Sequence, residues 1–421
     1  MKIEGVKGTR DFLPKEKFIQ DYIFNNWTNI AKKYGYEDFD APMLEPVELW
    51  QLKSGAEIPD QMYTLKDKGD RMLAIRPELT PSLARIMAQN AGAMPKPIRL
   101  YCIARCWRYE QPQSGRLREF FQLNVDCLGT KSMHADAEVI ATSIRIMQSF
   151  GLSEKDVYLR LSNRKITDSI ISSLASSKET AKQISRLIDK LDKISKADFK
   201  KALKELKLTD EKIEKLESFL EISDLKKLDE KILGEEGKKG VEELSELIKI
   251  LQSYGLEKYV KVDFTIMRGL DYYTSTVFEV FDVEKEFRAI CGGGRYDNLV
   301  KDFGGEELAG IGYGMGDVVL ELFLKKKGLL PEYKKEAEFF IAIVNESQTG
   351  FAIKIAEKLR KSGKNVEVEL MQRKIGKQLE YANKSKIAKL IVIGEEEEKN
   401  KKFKTKDMKT GKEEEKKLED I

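Results

Sequence analysis

Between residues 164 and 258 the chain has no proline and almost no aromatic side chain, and Lys, Leu, Ile, Ser and Glu dominate. Leu187, Ile188, Leu191 and Ile194 recur at three- and four-residue steps, as do Leu244, Leu247, Ile248 and Leu251. That spacing lines apolar groups along one stripe of a helix. Strand-like alternation precedes the block and returns after it, so the block reads as a helical insert within a sheet-bearing domain. By itself it is a small solvated bundle with no chemistry of its own.

Before the insert, Phe18, Ile19, Tyr22, Ile23, Trp27, Ile30 and Ala31 define an amphipathic helix over 17–34 that stops at Gly35. The stretch Glu37 to Leu44 reads as a strand interrupted by Pro42, and Met43-Leu44-Glu45, bracketed by Pro42 and Pro46, suits a sheet edge or a subunit contact. Residues 71–76, 98–109 and 119–129 alternate as strands. The breaker-rich loop Glu110-Gln111-Pro112-Gln113-Ser114-Gly115 makes the last two a hairpin. A helix over about 134–150 follows and ends at Gly151.

After the insert, Val260–Phe264, Thr274–Phe281 and Arg288–Cys291 alternate again, followed by a glycine-spaced approach to a helix from Gly310 to Gly316. Residues 331–335 form a linker. A strand-helix rhythm then runs to Ile393 and indicates a small α/β domain with a largely parallel sheet. The expected organisation is α+β, with a sheet domain over 1–163 and 259–330, the insertion over 164–258 and the α/β domain over 336–421.

Composition excludes several classes. Apolar residues make up 41% of the chain, enough to bury a core. No uncharged apolar run of about 18 residues or more occurs, and Met1 to Pro14 has no apolar signal region. Four cysteines without disulfide-framework spacing and a single histidine, His134, suit buried free thiols rather than a zinc site, and a cytoplasmic location follows. Lys+Arg against Asp+Glu is 75 to 71, so any RNA contact must be local.

The chemistry lies in Arg105-Cys106-Trp107-Arg108-Tyr109-Glu110 and Gly115-Arg116-Leu117-Arg118-Glu119-Phe120-Phe121-Gln122. Alternation lets Arg108 and Glu110 share one face, and likewise Phe120 and Gln122. Guanidinium forks suit phosphate oxygens, and a phenylalanine offers an adenine a stacking surface. Taken singly each residue has an ordinary structural reading, but the whole string is specific.

That string resembles motif 2 of the class II aminoacyl-tRNA synthetases. With Gly8-Thr9-Arg10-Asp11-Phe12-Leu13-Pro14, Arg268-Gly269-Leu270-Asp271-Tyr272-Tyr273-Thr274 and Gly292-Gly293-Gly294-Arg295-Tyr296-Asp297, the chain resembles the histidyl-tRNA synthetase family over essentially its full length. The resemblance implies a class II antiparallel-sheet catalytic domain with a helical insertion and a C-terminal anticodon-binding domain. It also implies a homodimer formed through residues 36–48, and formation of histidyl-adenylate from L-histidine and ATP before transfer to tRNA(His).

By position, the resemblance makes Arg108 and Arg268 the catalytic cations on the α-phosphate of ATP. Glu110 then contacts the adenine amino edge, Arg116 the γ-phosphate, and Phe120 stacks on the adenine. Mg²⁺ is held by the β- and γ-phosphates, with no metal ligand from protein side chains. Glu78, Leu79, Thr80 and Gln122 surround the α-amino group, and Asp126, Tyr272 and Tyr273 face the imidazole. Gln113 lies where the family meets the acceptor end of tRNA. Gln372-Arg373-Lys374, Lys377-Gln378 and Tyr381-Ala382-Asn383 resemble its anticodon-domain signature.

Two departures stand out. Many family members carry Glu where this chain has Asp126. Motif 3 normally supplies an arginine to the adenine and γ-phosphate, and alignment by the glycines puts Asp317 there. Gly292–Gly294 reads equally as a bulge, a turn or a close approach to substrate. A silent regulatory relative of the family is the competing reading; it keeps the fold but typically lacks the terminal domain and the catalytic arginine, both of which this chain has, so the missing motif 3 arginine is the one feature that points its way.

Overall fold

The computed structural model describes residues 3–51, 61–267 and 272–420. These divide into two units, Met1–Pro331 and Glu332–Ile421.

In the first unit the strands are β1 (Glu37–Asp38), β2 (Leu44–Pro46), β3 (Tyr63–Lys66), β4 (Met72–Ile75), β5 (Ile98–Trp107), β6 (Glu119–Leu128), β7 (Val157–Asn163), β8 (Val260–Val262), β9 (Thr276–Asp282), β10 (Cys291–Arg295) and β11 (Gly310–Gly316). The large sheet runs β1-β5-β6-β11-β10-β9-β7-β8. Its six middle strands are antiparallel, and each short edge strand pairs in parallel. The strand expected over Glu37 to Leu44 is in fact two. β1 edges the large sheet, while β2 pairs with β4 in a separate order β2-β4-β3. Pro42 lies between them, where the chain leaves one sheet for the other.

One face of the large sheet is apolar and covered by helices. Leu123 and Val125 of β6 and Tyr313 and Met315 of β11 meet Ile23, Trp27 and Ile30 from helix Pro14–Lys33 and Ile140 and Ile144 from helix Met133–Ser149. The first helix starts on Pro14, whose missing N–H costs nothing there, and stops before Gly35 at φ +77°. The second is capped by Ser132, whose hydroxyl accepts the His134 N–H at 3.2 Å. The insert supplies helices Arg164–Leu174, Lys178–Asp189, Lys196–Glu205, Asp210–Leu220 and Glu235–Ser253. Ile188, Phe199, Leu216 and Leu247 from these helices join the same apolar cluster as the sheet. The core of these helices is therefore continuous with that of the large sheet.

The second unit holds β12 (Phe339–Ile343), β13 (Val366–Val368), β14 (Lys389–Ile393), β15 (Lys402–Asp407) and β16 (Glu413–Lys417) in the order β13-β12-β14-β15-β16. The first three are parallel, and the charged tail adds an antiparallel hairpin. Gln378, in the stretch that resembles the anticodon-domain signature, is buried and clips this sheet. It accepts from Ile343 N–H and donates to the Ile343 carbonyl, both at 2.8 Å. No described helix is long and apolar enough to cross a membrane.

Candidate active site

The other face of the large sheet is a trough, and strand register explains it. Phe120, Gln122, Asn124 and Asp126 alternate on β6 away from the apolar core. On one side β5 opposes them with Cys106, Ala104, Cys102 and Leu100. On the other, β11 opposes Asp126, Asn124 and Gln122 with Gly312, Gly314 and Gly316. β10 then continues the floor with Gly294 beside Gly312 and Gly292 beside Gly314. Polar side chains stand between small neighbours, and they need that room. A Cβ on Gly314 would sit 2.7 Å from Gln122 Nε2, one on Gly294 2.7 Å from the Tyr273 ring, and one on Gly312 on top of Asp126 Oδ1.

Two expectations are corrected here. Gly310 to Gly316 is a strand rather than the approach to a helix; the helix begins at Asp317. Gly292–Gly294 is buried in β10, which runs Cys291–Arg295 instead of Arg288–Cys291, and is neither a bulge nor a turn. In both places glycines, consecutive in β10 and at every second position in β11, hide the alternation that marks a strand.

At the inner end of the trough Asp126 is 1% exposed and accepts a short hydrogen bond on Oδ1 from the Tyr296 hydroxyl. Burial pushes its carboxyl up to about 7, against the pull of the Tyr296 hydrogen bond. Tyr272 lies edge-on to Tyr296 with ring centres 6.1 Å apart and leans on Tyr273 at 4.9 Å. Three aromatic rings and one carboxyl thus enclose a pocket wall. Gln122 donates from Nε2 to Asn124 Oδ1 at 2.9 Å. Glu78, Leu79 and Thr80 are all buried, at the start of helix Thr80–Asn90. Arg108 joins this segment to motif 2, since its Nε donates to the Pro77 carbonyl at 2.9 Å.

Near the mouth, the Arg108 guanidinium lies 5.2 Å over the Phe120 ring. Arg108 and Glu110 fall beyond the end of β5, so sheet alternation does not place them. Glu110 pairs with Arg116 Nε at 2.5 Å across the loop. Gln113 and Arg116 close the loop with paired backbone hydrogen bonds of 3.0 and 2.9 Å, and Gly115 turns it at φ +75°. Arg268 lies outside the described residues, as do Gly269, Leu270 and Asp271.

Asp317 is engaged elsewhere. Its Oδ2 takes the Arg10 guanidinium at 2.5 Å and its Oδ1 accepts the Phe121 N–H at 2.9 Å. Arg10 sits 5.0 Å over Phe12, which in turn packs edge-on against Phe121. Asp317 therefore ties the N-terminal segment to β6 and does not set a carboxylate against phosphate. Val319, two residues on, is the side chain that reaches the motif 2 loop, 3.3 Å from where a Gly115 Cβ would stand. Asp317→Ala strands a largely buried guanidinium and a buried N–H, and is expected to cost about 2–4 kcal/mol in urea unfolding. The KM for ATP of the folded variant should stay near wild type.

Sequence reasoning missed three parts of this site: Asn124, Tyr296 as the partner of Asp126, and the glycine floor. The floor carried a usable signal, because Gly310, Gly312, Gly314 and Gly316 recur with period two, the period of a strand face.

Comparison with known proteins agrees with this geometry. Residues 8–316 match the family described as histidyl-tRNA synthetase, and residues 338–421 match the anticodon binding domain. The histidine--tRNA ligase of Pyrococcus furiosus is 38% identical over 425 residues, covering 100% of this chain and 98% of that protein. The histidine--tRNA ligase of Leptospira biflexa is 38% identical over 409 residues, covering 96% and 93%. The crystal structure of histidyl-tRNA synthetase from Nostoc sp. PCC 7120 superposes with a TM-score of 0.83 at 27% identity, covering 100% of this chain and 99% of that one. Matched by family over most of its length, and folded around the trough those motifs build, this chain belongs to the histidyl-tRNA synthetase family.

Proposed function

We propose that this chain ligates histidine to tRNA(His) in two steps on the β6 trough, using ATP carried as its Mg²⁺ complex. The observation that carries the reading is the pairing of a buried carboxyl, Asp126, at the inner end with a guanidinium, Arg108, at the mouth of one trough. The amino acid lies between them. Its imidazole is directed to Asp126, Tyr272 and Tyr273, and its α-amino group to Glu78, Thr80 and Gln122, with Leu79 packed behind. The adenine rests on the free face of Phe120 and meets Glu110, while Arg116 turns from Glu110 to the γ-phosphate.

In the first step a histidine carboxylate oxygen attacks the α-phosphorus and pyrophosphate leaves. Charge builds on the α-phosphoryl oxygens, and Arg108 and Arg268 are the cations assigned to it. No general acid or base is required, because the attacking carboxylate is already ionised. In the second step a hydroxyl at the tRNA 3′ end attacks the carbonyl carbon and AMP leaves. Among the described residues no three His, Cys, Asp or Glu side chains converge to hold a metal.

A homodimer through residues 36–48 belongs to the same reading. Met43, Leu44, Leu65 and Met72 expose apolar surface around the β2-β4-β3 sheet, which suits a subunit contact. Gln113, exposed on the motif 2 loop, is placed at the tRNA acceptor end, and the terminal unit at the anticodon. A cytoplasmic location fits a partner that is tRNA.

Histidine-dependent ATP–pyrophosphate exchange tests the reading, with other amino acids as controls. Exchange with histidine alone is expected. Histidine binding without exchange would mark the silent regulatory relative, a reading that the anticodon-domain match over 338–421 disfavours. In the same assay Arg268→Ala is expected to lower exchange by about 10³-fold with an unchanged melting transition. Near-normal exchange would remove Arg268 from the catalytic role.

A further inference from the structure

We propose that Tyr296 is a positioning and specificity-determining residue for histidine, its hydroxyl holding one oxygen of Asp126 so that the other faces the substrate ring as an acceptor. The inference rests on the reading of Asp126 as the imidazole partner and adds what orients it.

The carboxyl of Asp126 is fully enclosed, and its two oxygens differ. Oδ1 takes the Tyr296 hydroxyl. Oδ2 is buried and has no hydrogen-bond partner among the described residues. A buried acceptor without a donor is costly, and in a trough built for a ligand its natural complement is a ligand N–H. A carboxyl free to spin would not offer the same oxygen each time. Here it cannot spin without breaking the Tyr296 hydrogen bond.

Three features pin that arrangement. Gly312, opposite Asp126 in the register, leaves the space that Oδ1 occupies. Gly310 does the same for the Tyr296 ring, which lies 2.6 Å from where its Cβ would be. Arg295, the preceding residue, is itself buried and tied to Asp136, to Asp297 at 3.1 Å and to the Thr130 carbonyl at 3.0 Å. The backbone from which Tyr296 projects is thereby fixed, and Tyr272 packs edge-on against the ring.

Selectivity follows from the free oxygen. An imidazole N–H pairs with Oδ2, whereas a ring of similar size lacking an N–H leaves that oxygen buried and unpaired. The hydroxyl also tunes the proton. Its hydrogen bond pulls the Asp126 carboxyl down against burial, so removing it lets the carboxyl rise. The other titratable groups on this side of the sheet are Tyr272 and Tyr273 from the segment before β9, beside Tyr296, and Cys102 of β5, opposite Asn124, whereas Tyr313 of β11 lies on the apolar face.

The test is ATP–pyrophosphate exchange on the full chain between pH 6 and 9, with β-thienylalanine as the competitor lacking a ring N–H. Tyr296→Phe is expected to raise the KM for histidine about ten-fold, with kcat and the KM for ATP within about two-fold, the loss of one hydrogen bond. It should also move the acid limb of the histidine KM profile to higher pH and weaken discrimination against the competitor. A histidine KM and pH profile like wild type in Tyr296→Phe overturns the proposal. Asp126→Asn separates the two readings. If it raises the histidine KM about 100-fold while Tyr296→Phe is silent, only the role of Tyr296 falls; if it too is silent, the imidazole reading falls first. Should Tyr296→Phe not fold, 3-fluorotyrosine at position 296 keeps the ring's shape and changes the hydroxyl's acidity. A shifted pH profile then supports the proposal, and an unshifted one overturns it.

Discussion

Arg108→Ala is expected to lower histidine-dependent ATP–pyrophosphate exchange by about 10³-fold, because it removes a positioned cation from the mouth of the trough. The guanidinium is held at two points, by Nε on the Pro77 carbonyl and by its packing over Phe120. That anchoring leaves little reorganisation for the moment when charge develops on the α-phosphoryl group. Arg108→Lys should recover only part of the loss, since an ammonium keeps the charge but has no planar fork to hold against both Pro77 and phosphate. The variants should melt close to wild type, because Arg108 spans a loop and a strand end and leaves the apolar core untouched. Exchange within about five-fold of wild type in Arg108→Ala would remove the residue from the transition state.

A chain ended at Pro331 is expected to keep histidine activation and to lose tRNA charging by about 10²–10³-fold, the scale on which losing one of two linked binding modules weakens the whole. The boundary is physical. Unit Met1–Pro331 holds the large sheet and every described residue assigned to ATP or histidine. Unit Glu332–Ile421 has its own core of Phe339, Ile341, Ile355, Ile391 and Phe403. Exchange and charging assayed on one preparation separate the outcomes. Equal loss of both would mean that the first unit does not stand alone, and unchanged charging would mean that the terminal unit does not read the tRNA.

Much of this fold was legible because its elements follow clean periodicities. The β5–β6 hairpin, the insert and the parallel βαβαβ core of the terminal unit each carry an unbroken pattern of period two or of three and four. Glycine broke the reading at β10 and β11, where the strand face that matters has no side chains to show. The strand pair β3–β4 was half seen, through β4 alone. In the site, motif strings identified the stretch holding Arg108, Glu110, Arg116, Phe120 and Gln122, and the structure gathers Gln122, Asp126, Tyr272 and Tyr273 within one trough. Two things needed three dimensions. Tyr296 reads in sequence as one more buried aromatic, and only strand register brings its hydroxyl to Asp126. Asp317 reads as a substituted phosphate ligand, and only the path of the N-terminal segment supplies Arg10 as its partner.

The order of strands in the large sheet also sets a problem for the chain while it is being made. β5 and β6 are neighbours in sequence and can pair as soon as both have emerged. The other edge of β6 must wait for β11, which ends at Gly316 where β6 ends at Leu128. At about 5–20 residues per second that interval is roughly 10–40 seconds. Throughout it, β6 presents an open row of N–H and carbonyl groups, with Leu123, Val125 and Cys127 along one face, an invitation to pair with the wrong strand. The insert lengthens the wait, since residues 164–258 make up about half of those synthesised in between. Helices Pro14–Lys33 and Met133–Ser149 come off the ribosome in time to cover the apolar face, but nothing made before residue 310 can close the edge. Chaperone dependence and aggregation during rapid expression should therefore track the delivery of one glycine-rich strand.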